Sequence, residues 1–276
     1  MHYILQENVF RERHYDMIEK SLIKFNLPYT KVRLFPFVDK IVSLSDLPDD
    51  FGYNVDELPE FNPGTKNVFC FGAIKLARIA SKRGWFPGSM MNENHDFMVY
   101  KEFYKEELLN YDSVITNLSS ELNWEPGEVK FIRPTQDTKS FTGALFTEVE
   151  WKDSVEHNLH NYRSEIFNED TLIQVSSPKK IYQEIRCWVV NKKVITASNY
   201  RIGNEVIYKR VIDEVPLNYA QSMVDKFQLN DAFVIDICET ENGWKIVECG
   251  CINCAGFYDA DLQKLLVAIE DHFQID

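Results

Sequence analysis

The stretch Val129–Gly143, with the sequence VKFIRPTQDTKSFTG, decides how the rest of the chain is interpreted. Its first half alternates apolar and polar side chains and stops at Pro134, which predicts a short strand ending there. A polar loop, Thr135–Ser140, follows. Backbone N–H groups of such a loop can point at phosphate oxygens, and Arg133 and Lys139 would neutralise them. The alternative is an ordinary hairpin loop with two solvated charges.

The composition of the 276 residues is that of a globular protein with one large domain or two to three modest lobes. A formal net charge of -13 argues against a general affinity for nucleic acid, which requires clustered Lys and Arg. No apolar run approaches the roughly 18–20 residues of a membrane span, and the N-terminus becomes charged too early for a signal peptide. We therefore expect a cytosolic protein.

The six cysteines fit a reducing compartment. Three of them lie singly within apolar runs, where a free thiol is expected to be buried: Cys70, Cys187 and Cys238. The other three are crowded into CxCxxC, residues Cys249, Cys251 and Cys254. Structural zinc is the less favoured alternative, because this spacing lacks paired CxxC motifs and no histidine is near. Whether these three bind metal is left open.

Strand and helix patterns alternate over about the first 90 residues, which predicts a parallel α/β lobe. The predicted elements are a strand at His2–Gln6, a helix at Arg11–Phe25, strands at Lys31–Phe37 and Asn67–Gly72, and a helix at Ala73–Arg83. Ser43–Asn62 is predicted to be mainly loop, Trp85–Gly88 a turn, and Asn94–Leu109 an amphipathic helix.

The C-terminal part is predicted to contain two β-hairpins. One joins Tyr182–Val190 to Lys193–Tyr200, and the other joins Phe233–Glu239 to Trp244–Cys249 across Asn242-Gly243, a strong turn signal. Further predicted elements are strands at Ala144–Val149 and Leu172–Ser176, a short element within Tyr111–Ser120, and helices at Trp151–His160, Tyr219–Phe227 and Ala260–Phe273.

Asp236 lies in the middle of one strand of the second hairpin, and Glu248 lies at the end of its partner. A carboxylate in an apolar strand is costly unless it is paired or binds metal. A divalent cation between two such carboxylates removes that cost, and oxygen ligands suit magnesium. Asn253 could add a neutral oxygen. The alternative, that both carboxylates face solvent or pair with Arg or Lys, is equally favoured.

The first hairpin carries Glu184, Arg186 and Arg201. Glu184 and Arg186 share a strand face because side chains alternate. Exposed ion pairs are one explanation. Guanidinium groups that hold anionic substrate groups are the other. The sequence contains no GxSxG, HExxH, GxxxxGK[ST] or GxGxxG motif, so hydrolase and Rossmann interpretations lose support.

These segments, in this order, resemble the ATP-grasp superfamily. FIRPTQDTKSFTG, EIRCWVV with KVITASNYR, and FVIDIC with WKIVECGCINCAGFY are similar to the clade in which Arg replaces the first nucleotide-binding Lys. The resemblance implies an α/β (α+β) fold in which two lobes grip ATP. It implies a pre-ATP-grasp lobe at 1–90 and an ATP-grasp domain at 91–276, with a small lobe at about 115–175 and a large lobe at about 176–276.

The resemblance also implies roles for particular residues. The nucleotide phosphates would be bound by Arg133 and by Lys139 and Ser140 of the mobile loop, adenine by the backbone of Leu172–Val175 including Gln174 and Val175, and ribose or substrate by Glu184. The γ-phosphate or a substrate carboxylate would meet Arg186 and Arg201, and one or two magnesium ions would bind Asp236, Glu248 and Asn253. The sequence departs from the family at Gly250, where an Asn is frequent, so Asn253 is the nearest replacement.

The activity implied by the resemblance is that of an ATP-dependent carboxylate–amine ligase. ATP phosphorylates a carboxylate, and an amine of a small molecule, peptide or protein attacks the acyl-phosphate to form a C–N bond. An ATP-grasp phosphotransferase and a non-enzymatic nucleotide-binding module are the alternatives. Many members of this clade are phage or bacterial proteins, so the expected location is a bacterial or host cytosol. The sequence names neither substrate, and a homodimer is left open.

Overall fold

Three β-sheets and six α-helices are formed by the residues that the computed structural model describes, namely 1–7, 16–35, 38–49, 52–136, 141–162 and 167–274. The strands are β1 His2–Gln6, β2 Tyr29–Phe35, β3 Lys40–Ser43, β4 Asn67–Phe71, β5 Phe86–Gly88, β6 Val114–Asn117, β7 Lys130–Pro134, β8 Ala144–Phe146, β9 Leu172–Ser176, β10 Gln183–Val190, β11 Lys193–Ile202, β12 Lys209–Arg210, β13 Ala232–Thr240 and β14 Gly243–Gly250. The helices are α1 Asp16–Lys24, α2 Ile74–Lys82, α3 Phe97–Tyr104, α4 Glu148–Tyr162, α5 Glu214–Lys226 and α6 Leu262–Phe273.

The N-terminal sheet has the strand order β3-β2-β1-β4-β5. Strands β2, β1, β4 and β5 are parallel, as the alternation of strands and helices predicts, and β3 is an antiparallel edge strand. The prediction of a turn at Trp85–Gly88 is wrong, because Phe86–Gly88 pairs with β4. Pro87 signals a turn locally, but at the edge of a sheet a proline is tolerated. The first part of the helix predicted at Arg11–Phe25, before Asp16, lies outside the described residues.

The region 93–107 is interrupted where the sequence predicts one helix. A 3₁₀ turn precedes α3, and the Asp96 side chain accepts a hydrogen bond from the N–H of Met98, which caps the helix start. Lys105, with φ at 50°, ends the helix in a left-handed conformation. The turns direct the chain back to β14, where the N–H of Leu109 donates to the carbonyl of Ile246.

The C-terminal sheet has the order β12-β11-β10-β13-β14 and is antiparallel throughout, which confirms both predicted hairpins. Both faces of β10 are covered: Trp188 and Val190 belong to the core shared with α6 and the N-terminal sheet, and Cys187 and Val189 belong to the core beneath α5. This double burial explains why the strand reads as a nearly continuous apolar run.

The middle sheet, with the order β6-β9-β7-β8, is also antiparallel. Ile132 of β7 and Ile173 of β9 pack with Trp151 of α4 to form its core. Because successive side chains of a strand point to opposite faces, Arg133 lies on the face away from that core. The short element predicted within Tyr111–Ser120 is β6.

All six cysteines are free, and burial raises the pKa of the Cys187 and Cys70 thiols well above their usual value. The described residues contain no group of three or more His, Cys, Asp or Glu side chains that could hold a metal ion. Within the same ranges, no helix is long and apolar enough to cross a membrane.

Candidate functional site

A cleft of about 880 Å³ lies between the middle sheet and the C-terminal sheet. Arg133 and Gly143 line the wall that the middle sheet provides, and Glu184 and Glu248 line the wall of the C-terminal sheet. Gly143 permits close packing here, because a Cβ atom at this position would lie 2.9 Å from Cβ of Arg133. The cleft therefore brings together residues that are far apart in the sequence.

An ion pair between Arg133 and Glu248 joins the two walls. Nη2 of Arg133 donates to Oε2 of Glu248, and both side chains are largely buried, with 18% and 24% of their surfaces exposed. The predicted phosphate-binding cation and a predicted metal ligand thus neutralise each other in this structure. This is the pairing with Arg that the sequence left open for Glu248.

Asp236 forms a second, deeper ion pair with Arg186. Nε of Arg186 lies 2.8 Å from Oδ1, and Nη2 lies 2.7 Å from Oδ2, so the contact is bidentate. Register places Asp236 opposite Arg186 on one side and Glu248 on the other. Burial lowers the pKa of Arg186, but the Asp236 carboxylate more than offsets this and holds that pKa well above its ordinary value.

Glu184 is the third buried carboxylate of the cleft, with 6% of its surface exposed. It accepts hydrogen bonds from the hydroxyl of Tyr200 at 2.7 Å and from Nη1 of Arg201 at 3.0 Å. Arg201 lies directly opposite Glu184 in register, with half of its side chain exposed. The hairpin therefore positions one exposed guanidinium beside the cleft and one buried guanidinium beneath it.

Three tyrosines form a stack beside these charges, and the sequence analysis missed them. The ring of Tyr258 stacks on Tyr200 with centroids 5.3 Å apart and on Tyr208 with centroids 4.9 Å apart. The guanidinium carbon of Arg186 lies 5.0 Å from the centroid of Tyr258, within the range of a cation–π contact. Tyr258 has a φ of 49°, which a tyrosine rarely adopts. The available signal was the motif GFYDAD, which follows the second hairpin without a periodic pattern.

Gln174 and Val175 lie next to the cleft without lining it. Nε2 of Gln174 donates to Oγ of Ser113 at 3.1 Å, and Val175 belongs to the core of the middle sheet. The residues that follow the strand, Ser177–Lys179, line the cleft instead. Lys139 and Ser140 lie outside the described residues, so their predicted roles stay predictions.

Asn253 is placed against the N-terminal sheet. Its Oδ1 accepts a hydrogen bond from the N–H of Met90 at 2.7 Å, and its Nδ2 donates to the carbonyls of Cys70 and Gly88 at 2.7 Å and 3.1 Å. The side chain is 1% exposed. These contacts give the amide a structural role and do not bring it to the two carboxylates, so they do not support the predicted magnesium role.

Comparisons with known proteins converge on one fold. A family model described as ATP-grasp domain, R-to-K clade, family 3, matches residues 34–269. No curated protein matches the sequence. Many solved structures resemble the chain in fold.

One similar structure is the D-alanine–D-alanine ligase from Coxiella burnetii, with a TM-score of 0.60, 10% identity, and coverage of 99% of this chain and 95% of that chain. A RimK domain ATP-grasp protein from Sphaerobacter thermophilus has a TM-score of 0.56, 12% identity and coverage of 99% of both chains. A D-alanine–D-alanine ligase from Bacillus anthracis in complex with ATP has a TM-score of 0.53, 13% identity, and coverage of 99% and 97%.

Proposed function

Because the chain belongs to the ATP-grasp superfamily, in family 3 of its R-to-K clade, we propose that it is an ATP-dependent ligase joining a carboxylate to an amine. ATP-grasp proteins bind ATP, and the cleft between the middle and C-terminal sheets is where we place it. The observation that supports this most is the meeting of Arg133 and Glu248 across the cleft. It brings a cation for phosphate and a carboxylate for metal to one place.

The nucleotide would lie along the cleft from Ser177–Lys179, which would contact adenine through the backbone, to Arg133 at the phosphates. Glu184 would bind the ribose or border the substrate. Lys139 and Ser140 would close over the phosphates. The chain would thus be divided into a pre-ATP-grasp lobe at 1–90 and an ATP-grasp domain at 91–276.

Magnesium fits the donor set of Asp236 and Glu248, because both are carboxylates placed opposite each other in register beside the phosphate end of the cleft. Bound there, the ion would offset the charge of the phosphates. In exchange, Arg133 would leave Glu248 and contact a phosphate. Asn253 is left out of this set, because its amide is bonded to backbone groups of the N-terminal region.

In the proposed reaction an oxygen of the substrate carboxylate attacks the γ-phosphorus, and ADP leaves with the electrons of the broken P–O bond. The amine then attacks the carbonyl carbon of the acyl-phosphate, loses a proton, and expels inorganic phosphate as the C–N bond forms. The protein aligns two anions, and Arg133 and Arg201 offset their repulsion. Arg186 would act from below by fixing Asp236. Because the donor is ATP, we place the activity in a bacterial or host cytosol.

The test is ADP release from ATP and magnesium, measured against a panel of carboxylates and amines, with mass spectrometry of the product. Joining of the two substrates with loss of water supports a ligase, whereas a gain of phosphate indicates a phosphotransferase. Arg133→Ala and Asp236→Asn are expected to abolish turnover, and Glu239→Gln, outside the cleft, is expected to retain it. Full turnover in both cleft variants would refute the site assignment.

A further inference from the structure

The tyrosine stack has no role in the mechanism above, although all three of its rings line the cleft. Tyr200, Tyr258 and Tyr208 follow one another, with planes inclined by 29° and 28° at the two contacts. Tyr208 is the outer ring and is 36% exposed. The stack therefore runs from the buried Arg186 to the open end of the cleft.

The backbone holds this stack in place on both sides. The N–H of Arg210, two residues after Tyr208, donates to the carboxylate of Asp259 at 2.8 Å. The N–H of Asp259 in turn donates to the hydroxyl of Ser198 on β11 at 3.2 Å. Tyr258, adjacent to Asp259, is thus held in its left-handed conformation by hydrogen bonds on the next residue. Strained backbone of this kind persists where the surroundings over-determine it, and it clusters at functional sites.

The groups around Tyr208 define the chemistry of a ligand. Val206, which is 69% exposed, lines the same part of the cleft and adds apolar surface. Arg201 lies in this lining with its side chain half exposed, and Glu184 accepts one of its five N–H donors. An apolar wall with one guanidinium suits a planar apolar group that carries a carboxylate nearby.

We propose that Tyr208, Tyr258 and Val206 form a subsite for the aromatic side chain of an amino-acid or peptide substrate, whose carboxylate is held by Arg201. This rests on the proposed function, because it names the substrate class of that site. A planar ring continues the offset stack of the tyrosines. Glu205 beside Val206 disfavours an acidic side chain, and Arg201 with Lys209 disfavours a basic one.

The test is isothermal titration calorimetry of the full chain, with the nucleotide site filled by magnesium and the β,γ-imido analogue of ATP. The probes are L-phenylalanine, L-alanine, L-glutamate and L-lysine. We expect the wild type to bind L-phenylalanine about tenfold more tightly than L-alanine, and Tyr208→Ala to remove most of that preference. Tyr182→Ala is the matched control, because Tyr182 is an exposed tyrosine of the same lobe that does not line the cleft.

Equal affinity for L-phenylalanine and L-alanine, absence of binding by both, or tighter binding of L-glutamate or L-lysine would overturn the proposal. So would an equal loss of affinity in Tyr208→Ala and Tyr182→Ala. The melting temperature with the ATP analogue and magnesium, measured on the same samples, separates this failure from failure of the proposed function. A retained rise in melting temperature leaves the nucleotide site intact, whereas no rise refutes the proposed function itself.

Discussion

Arg133 of β7 and Glu248 of β14 form an ion pair that connects the middle sheet to the C-terminal sheet across the cleft. Each residue has a proposed partner of its own, a phosphate for Arg133 and magnesium for Glu248. Without those partners, the guanidinium and the carboxylate satisfy each other. Nucleotide and metal therefore have to displace one shared contact, and this predicts that their binding is coupled.

Glu248→Gln tests this coupling. We expect the variant to bind ATP in the presence of EDTA several-fold more tightly than the wild type, because Arg133 no longer has to leave a carboxylate. With magnesium present, the variant is expected to bind ATP about tenfold more weakly, because it lacks a charged ligand. Calorimetry with and without magnesium measures both effects. The control is Glu239→Gln, whose carboxylate contacts Gln183 instead. Equal weakening under both conditions would contradict the coupling.

Arg133→Lys tests whether positive charge is sufficient at this position. A guanidinium contacts phosphate through a planar fork, whereas an ammonium group is a point charge on a more flexible stem. We therefore expect the KM for ATP to rise about tenfold, with a smaller change in melting temperature. Lys130→Arg, three residues earlier on the same strand, controls for changes in local packing. Unchanged KM in Arg133→Lys would show that the fork is not required.

Much of the fold was predictable because local pattern and tertiary environment agree. The turn signal Asn242-Gly243 and the apolar runs beside it specify the second hairpin, and both of its strands form. The start of α5 was placed at Tyr219 instead of Glu214, because the capping Asp213 and the tolerated Pro216 resemble a loop when only the sequence is considered.

The site was predictable only residue by residue. Arg133, Glu184, Arg186, Asp236 and Glu248 do meet around one cleft, but their sequence positions do not reveal which charge bonds to which. The stacked Tyr258 depends on a backbone φ of 49° that no local motif announces. Asn253 bonds to Cys70, 183 positions earlier, so its use in joining the C-terminal segment to the N-terminal sheet could not be inferred from its neighbours.

Removal of one partner from the buried Arg186–Asp236 pair is expected to be strongly destabilising. Arg186 is 9% exposed and Asp236 is 1% exposed, so either single variant leaves a buried charge without its partner. We expect Asp236→Asn and Arg186→Met each to lower the free energy of unfolding by about 3–5 kcal/mol. The double variant Arg186→Met with Asp236→Asn is expected to lose less than the sum of the two. Urea unfolding measures all three, and strict additivity would contradict a direct interaction.

Asn253→Asp distinguishes the structural role seen here from the predicted role in magnesium binding. As a magnesium ligand, an Asp at this position would add charge and would strengthen metal binding. In the observed geometry it replaces the Nδ2 donor to the carbonyls of Cys70 and Gly88 and buries a carboxylate against them. We therefore expect the free energy of unfolding to fall by about 1–3 kcal/mol or more, because buried acceptors lose their donor. The dependence of ATP binding on magnesium is expected to stay as in the wild type.

Asn253→Ala is the matched control, since it removes the same donor without adding charge. Both variants should be destabilised in urea, and Asn253→Asp should recover stability as the pH falls and its carboxyl becomes protonated, whereas Asn253→Ala should not. A shift of the magnesium requirement in Asn253→Asp at unchanged stability would restore Asn253 to the metal site. The same outcome would require the C-terminal segment to leave the N-terminal sheet, because one amide cannot serve both positions.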